Sequence, residues 1–73
     1  CIVGNGVHIA PGVTIAGCVE IRERAFIGAG ATILPRLTIG KDAVIGAGAV
    51  VTRDIPDGTV AWGNPARVMR SAA

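Results

Sequence analysis

Aliphatic residues return at every sixth position along most of this chain. Stepping from Val3 gives Val3, Ile9, Ile15, Ile21, Ile27, Ile33, Ile39, Ile45 and Val51, all β-branched. Stepping from Val7 gives Val7, Val13, Val19, Ala25, Ala31, Leu37, Ala43, Ala49 and Ile55, all aliphatic. Both series run without insertion over 3–56. A helix cannot use this beat, because six residues at about 3.6 per turn drift round the axis and leave no apolar stripe. One long flat strand also fails, since glycine and proline recur too often for a continuous ladder. The pattern predicts a short strand, a corner and another short strand, with positions one and five of each unit pointing inward. Glycine and proline fall between the inward positions, where corners need them.

The segment Ile27-Gly28-Ala29-Gly30-Ala31 returns as Ile45-Gly46-Ala47-Gly48-Ala49, eighteen residues later. Eighteen is three sixes, so each turn of chain is a triangle, and the predicted coils are 3–20, 21–38 and 39–56. Coils stacked about 4.8 Å apart can hydrogen-bond to one another. The expected fold is all-β, a parallel β-helix shaped as a triangular prism of three 18-residue coils. It occupies 1–56 and is followed by a short C-terminal tail over 57–73. In that tail Asp57-Gly58 marks a turn, and Pro65 suits the start of a short helical turn.

Stacking on a period of eighteen sorts the outward residues into columns. One corner reads Gly4-Asn5-Gly6, Arg22-Glu23-Arg24, Gly40-Lys41-Asp42 and is charged, as a solvated edge would be. A second reads Ala16-Gly17-Cys18, Leu34-Pro35-Arg36, Thr52-Arg53-Asp54 and is mixed. The third reads Ala10-Pro11-Gly12, Gly28-Ala29-Gly30, Gly46-Ala47-Gly48 and has almost no side chains. A bare edge offers main-chain N–H and C=O groups to an extended ligand, although tight corners alone also call for glycine. Beside it runs the outward column His8, Phe26, Val44, whose apolar character suits a neighbouring copy. Cys1 takes an inward slot in the column Cys1, Val19, Leu37, Ile55.

Composition narrows the function classes. With 51% hydrophobic and 16% charged residues the chain is too apolar for disorder. Charges, glycine and proline break every apolar stretch well before about 18 residues, so no membrane span is expected. A net charge of +2 with 3% aromatic residues argues against nucleic acid. Two cysteines do not make a disulfide scaffold and suit a reducing, cytoplasmic setting. Neither Gly28-Ala29-Gly30 nor Gly46-Ala47-Gly48 has the third glycine of a dinucleotide loop, and Gly40-Lys41-Asp42 lacks the hydroxyl of an ATP loop. One histidine and two cysteines without ligand spacing argue against a metal site.

The repeat over 3–56, with the ending Gly63-Asn64-Pro65-Ala66-Arg67, resembles the hexapeptide-repeat acyltransferases. Their fold is a left-handed parallel β-helix, an exception to right-handed crossovers. The stretch Gly6-Val7-His8-Ile9-Ala10-Pro11-Gly12-Val13-Thr14-Ile15-Ala16-Gly17 is similar to the branch that acetylates sialic acids and bacterial amino-sugar nucleotides. That resemblance implies a homotrimer, acetyl-CoA as co-substrate and a small sugar or amino-sugar acceptor. It also implies that the catalytic base, a histidine two residues before Cys1, and a nucleotide-sugar-binding domain lie upstream. This chain then reads as the C-terminal portion of a larger O- or N-acetyltransferase, with no catalytic residue assigned within it. His8 matches the family's second histidine, near the acetyl carbonyl. Gly17, Ala29 and Ala47 match positions lining the CoA arm, mostly by backbone. Two other roles for His8 stay open, an idle exposed histidine or the sole base of a complete short enzyme. Arg67 and Arg70 meet CoA phosphates or are simply solvated, and Trp62 and Phe26 read as packing or interface residues. The alternative function is a non-catalytic trimeric β-helix scaffold.

Overall fold

The computed structural model of the chain describes residues 2–71, with side chains through Met69. Cys1 and the side chain of Arg70 lie outside the described residues. Nine two-residue strands follow one another: β1 (Ile2–Val3), β2 (His8–Ile9), β3 (Thr14–Ile15), β4 (Glu20–Ile21), β5 (Phe26–Ile27), β6 (Thr32–Ile33), β7 (Thr38–Ile39), β8 (Val44–Ile45) and β9 (Val50–Val51). Two longer strands follow, β10 (Thr59–Gly63) and β11 (Ala66–Ser71). Every third short strand pairs in parallel, so β1-β4-β7, β2-β5-β8 and β3-β6-β9 form the three faces of a prism. The chain winds as a left-handed β-helix of about three turns.

The register is the one that a period of eighteen demands. Val3 pairs with Ile21, Ile9 with Ile27, Ile27 with Ile45 and Ile33 with Val51. Each inward aliphatic therefore lies over its counterpart one coil below. From Val19 to Val51 every inward position is buried except Leu37, which is half-buried. The largest fully buried side chains are Ile21, Ile27, Ile33, Ile39 and Ile45. Burial of each contributes roughly 1.5–3 kcal/mol. In the first coil Val3 and Ile9 also point inward but remain 49% and 40% exposed, because described chain covers them on one side only.

The third residue of each corner before the irregular last one at Thr52-Arg53-Asp54 turns left-handed. Gly12, Gly30 and Gly48 do so at φ 80, 72 and 72, but so do Cys18, Arg24, Arg36 and Asp42, at φ 61, 59, 65 and 58. The charged corner gains an exposed two-pronged pair, Arg24 Nε to Asp42 Oδ1 at 2.8 Å and Nη2 to Oδ2 at 3.1 Å. The Arg24 hydrogen bond holds the Asp42 carboxyl below its ordinary value.

Two expectations for the C-terminal part are corrected. Ile55 is buried as an inward residue, yet it lies over Ile39 and not over Leu37. The chain has cut its last corner by two residues, and Leu37, no longer beneath an inward aliphatic, stays half-buried. One carboxylate replaces a main-chain acceptor that the shortcut removes, and a second engages a mid-corner N–H of the kind left open at Ala29 and Ala47. Asp54 Oδ1 accepts from Thr38 N–H at 2.8 Å, and Asp57 Oδ1 accepts from Lys41 N–H at 2.9 Å. The helical turn expected at Pro65 does not form. Instead β10 runs parallel to β8, with Val60 over Val44 and Ala61 over Ile45, and turns at Asn64-Pro65 into antiparallel β11. Ala61 is fully buried and Ala66 packs against the core, so the hairpin covers this end of the prism.

If stacked aliphatic columns hold the coils, burial depth sets the cost of truncating them. Ile27→Ala should lose about 3 kcal/mol in urea unfolding, and Ile9→Ala less than about 1 kcal/mol. Equal losses at the two sites would contradict this packing.

Candidate functional site

The bare corner lies between the β2-β5-β8 face and the β3-β6-β9 face. Its middle residues Pro11, Ala29 and Ala47 form one column, joined by Gly30 N–H to Pro11 O at 3.2 Å and Gly48 N–H to Ala29 O at 2.8 Å. Among the described residues, the amide N–H groups of Ala29 and Ala47 have no partner within the protein. Both residues are exposed. Two unengaged donors thus stand one coil apart on an edge that, above Pro11, carries no side chain larger than a methyl group.

The glycines of this edge fall into two kinds. A Cβ on Gly28 would meet Ala47 N at 2.6 Å, and one on Gly46 would meet the Trp62 Cβ at 2.7 Å. These glycines allow the next layer to stack. A Cβ on Gly30 or Gly48 would meet nothing within 4 Å. Their left-handed conformation does not require glycine either, since Arg24, Arg36 and Asp42 adopt it at the other corners. Such a residue costs roughly 1 kcal/mol relative to glycine, which the fold tolerates elsewhere. The edge is therefore barer at Gly30 and Gly48 than folding requires.

His8 sits on the adjoining face in the first coil. Its imidazole stacks on the Phe26 ring with centroids 4.9 Å apart and planes 6° from parallel. Val44 and Val60 continue that outward column. At its far end Trp62, 43% exposed, sits over Gly46 at the top of the bare edge. Gly17 lies elsewhere. It belongs to the mixed corner, across the β3-β6-β9 face, and its carbonyl accepts from Arg36 N–H at 3.0 Å. A single chain thus brings Ala29 and Ala47 together, places His8 beside their edge, and leaves Gly17 one corner away.

The mixed corner has its own character. Arg53 and Arg67 line a groove of about 400 Å³ between the last corner and β11. Among the described residues no carboxylate pairs with Arg36, Arg53 or Arg67, whereas Arg22 and Arg24 are paired with Glu20 and Asp42. The small positive net charge is therefore unevenly spread. No cluster of three or more His, Cys, Asp or Glu residues able to hold a metal occurs among the described residues. Two features escaped the sequence reading: Trp62 over Gly46, and the Arg53–Arg67 groove. Their signal was the break of the six-residue beat at Asp57, where an inward aliphatic would otherwise stand.

Residues 18–53 match the bacterial transferase hexapeptide family of six repeats. The repeat of this chain is thus of the hexapeptide-transferase kind. It is 41% identical over 78 aligned positions to 2,3,4,5-tetrahydropyridine-2,6-dicarboxylate N-acetyltransferase of Staphylococcus aureus, covering 96% of this chain and 33% of the relative. A mutant of perosamine N-acetyltransferase from Caulobacter crescentus, solved with CoA and GDP-perosamine, superposes with a TM-score of 0.91 at 46% identity. That match covers 92% of this chain and 32% of the other. Galactoside acetyltransferase in complex with coenzyme A gives a TM-score of 0.93 at 36% identity, over 97% of this chain and 44% of the other. This hexapeptide-repeat chain thus spans about a third of the length of the curated relatives it matches.

The two kinds of glycine generate a paired prediction. Gly30→Ala should cost about 1 kcal/mol, from its backbone conformation alone. Gly28→Ala should cost about 3 kcal/mol or more, because its methyl group meets main chain. Similar midpoints for the two variants in thermal unfolding would refute this reading of the edge.

Proposed function

We propose that this chain is the acetyl-CoA-binding β-helix portion of a sugar or amino-sugar acetyltransferase, acting on nitrogen or oxygen. The observation that carries the reading is the bare edge with its two unengaged amide donors at Ala29 and Ala47. The pantetheine arm of CoA is extended and carries amide carbonyls, which such donors can bind without any side chain. The CoA-bound relatives named above share this fold and support the assignment.

In this reading His8 bonds near the acetyl carbonyl, and Ala29 and Ala47 line the arm. Gly17 serves the same ligand across the boundary between copies, from the mixed corner of a neighbour. The unpaired Arg53 and Arg67 offer guanidinium groups to phosphate. The acceptor amine or hydroxyl attacks the thioester carbonyl, the C–S bond breaks, and the thiolate leaves as CoA. A histidine contributed from upstream of Cys1 takes the acceptor's proton. The assembly is a homotrimer. Its support is the half-exposed apolar column of Phe26, Val44 and Val60 with Trp62, which a second copy would cover to make a cleft along the bare edge. The exposed free thiol of Cys18 suits a reducing cytoplasm.

Calorimetric titration with acetyl-CoA, with light scattering on the same sample, tests this function. A particle of three chains should bind, and Gly48→Arg should weaken binding at least about tenfold, equivalent to 1.4 kcal/mol. Arginine is a fair probe because Arg36 holds the same backbone conformation. A folded trimer without affinity would favour the non-catalytic scaffold, and a monomer that binds would remove the cleft.

A further inference from the structure

The His8 side chain has one described partner. Among the described residues no carboxylate, carbonyl or hydroxyl engages either ring nitrogen, and the only side-chain interaction is the flat stack on Phe26. The stack follows from the coil register. His8 and Phe26 are paired residues of β2 and β5 on the same outward face, so their Cβ atoms lie one above the other. Both backbones are anchored, His8 N–H to Ala25 O at 2.9 Å and Phe26 N–H to Ala43 O at 2.8 Å.

We propose that Phe26 is a positioning residue for His8, its ring face fixing the plane of the imidazole beside the bare edge. An exposed histidine without a partner spreads over several rotamers. A parallel aromatic neighbour selects one plane and leaves both nitrogens free at the ring's edge. An aliphatic residue at 26 would pack under His8 without selecting a plane. Aromatic pairs of this kind bias a conformer about three- to tenfold. This inference rests on the acetyl-CoA reading for its consequence, in that an oriented nitrogen meets the acyl carbonyl, but not for the stack itself.

Two measurements separate these layers. His8 is the single histidine, so its ring protons are unambiguous in NMR spectra. They should be shifted upfield by the Phe26 ring in the free protein, keep that shift in Phe26→Tyr and lose it in Phe26→Leu. Calorimetry should then show Phe26→Leu weakening acetyl-CoA by about three- to tenfold, with CoA itself little affected and Phe26→Tyr restoring affinity. In a His8→Ala background, Phe26→Leu should have no further effect. A ring shift in a protein that binds no acetyl-CoA would retain the stack and sink only the functional reading. An unshifted ring in the wild type would overturn the proposal. So would a Phe26→Leu penalty that persists without His8, or one that accompanies loss of the oligomer by light scattering, since the ring would then act on assembly.

Discussion

The stacking of inward isoleucines and valines directly over one another is the constraint from which the rest follows. A two-residue strand is too short to hold its place by hydrogen bonds alone. Its register is set because a slip would turn its one inward aliphatic to solvent. Once Ile27 lies over Ile45 and Ile33 over Val51, every outward side chain also has a defined neighbour one coil away. The prism is thus a device for arranging surface residues in columns. Paired charges stand in one column, His8 and Phe26 in another, and almost nothing stands in a third.

That third column would give the proposed site its chemistry. Most ligand sites are built from side chains, but in the proposed function this edge works by their absence. Main-chain donors at Ala29 and Ala47 remain approachable because nothing projects over them. The other corners show that the same backbone conformation accommodates arginine and aspartate. The nakedness at Gly30 and Gly48 is therefore a choice of residue at positions where the corner itself is permissive, whereas Gly28 and Gly46 answer to the packing of the next layer. The arginines are partitioned in the same way, paired at Arg22 and Arg24 of the charged corner and unpaired in the groove of Arg53 and Arg67.

Much of this was legible in the residues alone. The beat of six gives inward positions, the echo of Ile27–Ala31 at Ile45–Ala49 gives the three-sided coil, and the corners then fall into their columns. The final coil was not legible, because it breaks the rule that revealed the others. Ile55 keeps the inward beat yet shifts to the column of Ile39, and the Asp54 carboxylate accepts the Thr38 N–H that the slip strands. Pro65 is as compatible with a hairpin turn as with a helix start, and the alternation of Ala61 inward with Val60 and Trp62 outward decides for the strand. The columns of the site were readable for the same reason as the fold. Its upper end at Trp62 was not, because that residue reaches the edge only through the shortened coil.

In the proposed function an extended acyl carrier lies along the bare edge and bonds to main chain. Amide shift mapping of the isotope-labelled chain during titration with acetyl-CoA should then show the largest movements at Ala29, Gly30, Ala47 and Gly48, consistent with new bonds to the two open N–H groups. Movements confined to the Arg53–Arg67 groove or to the charged corner, with Ala29 and Ala47 unmoved, would contradict it.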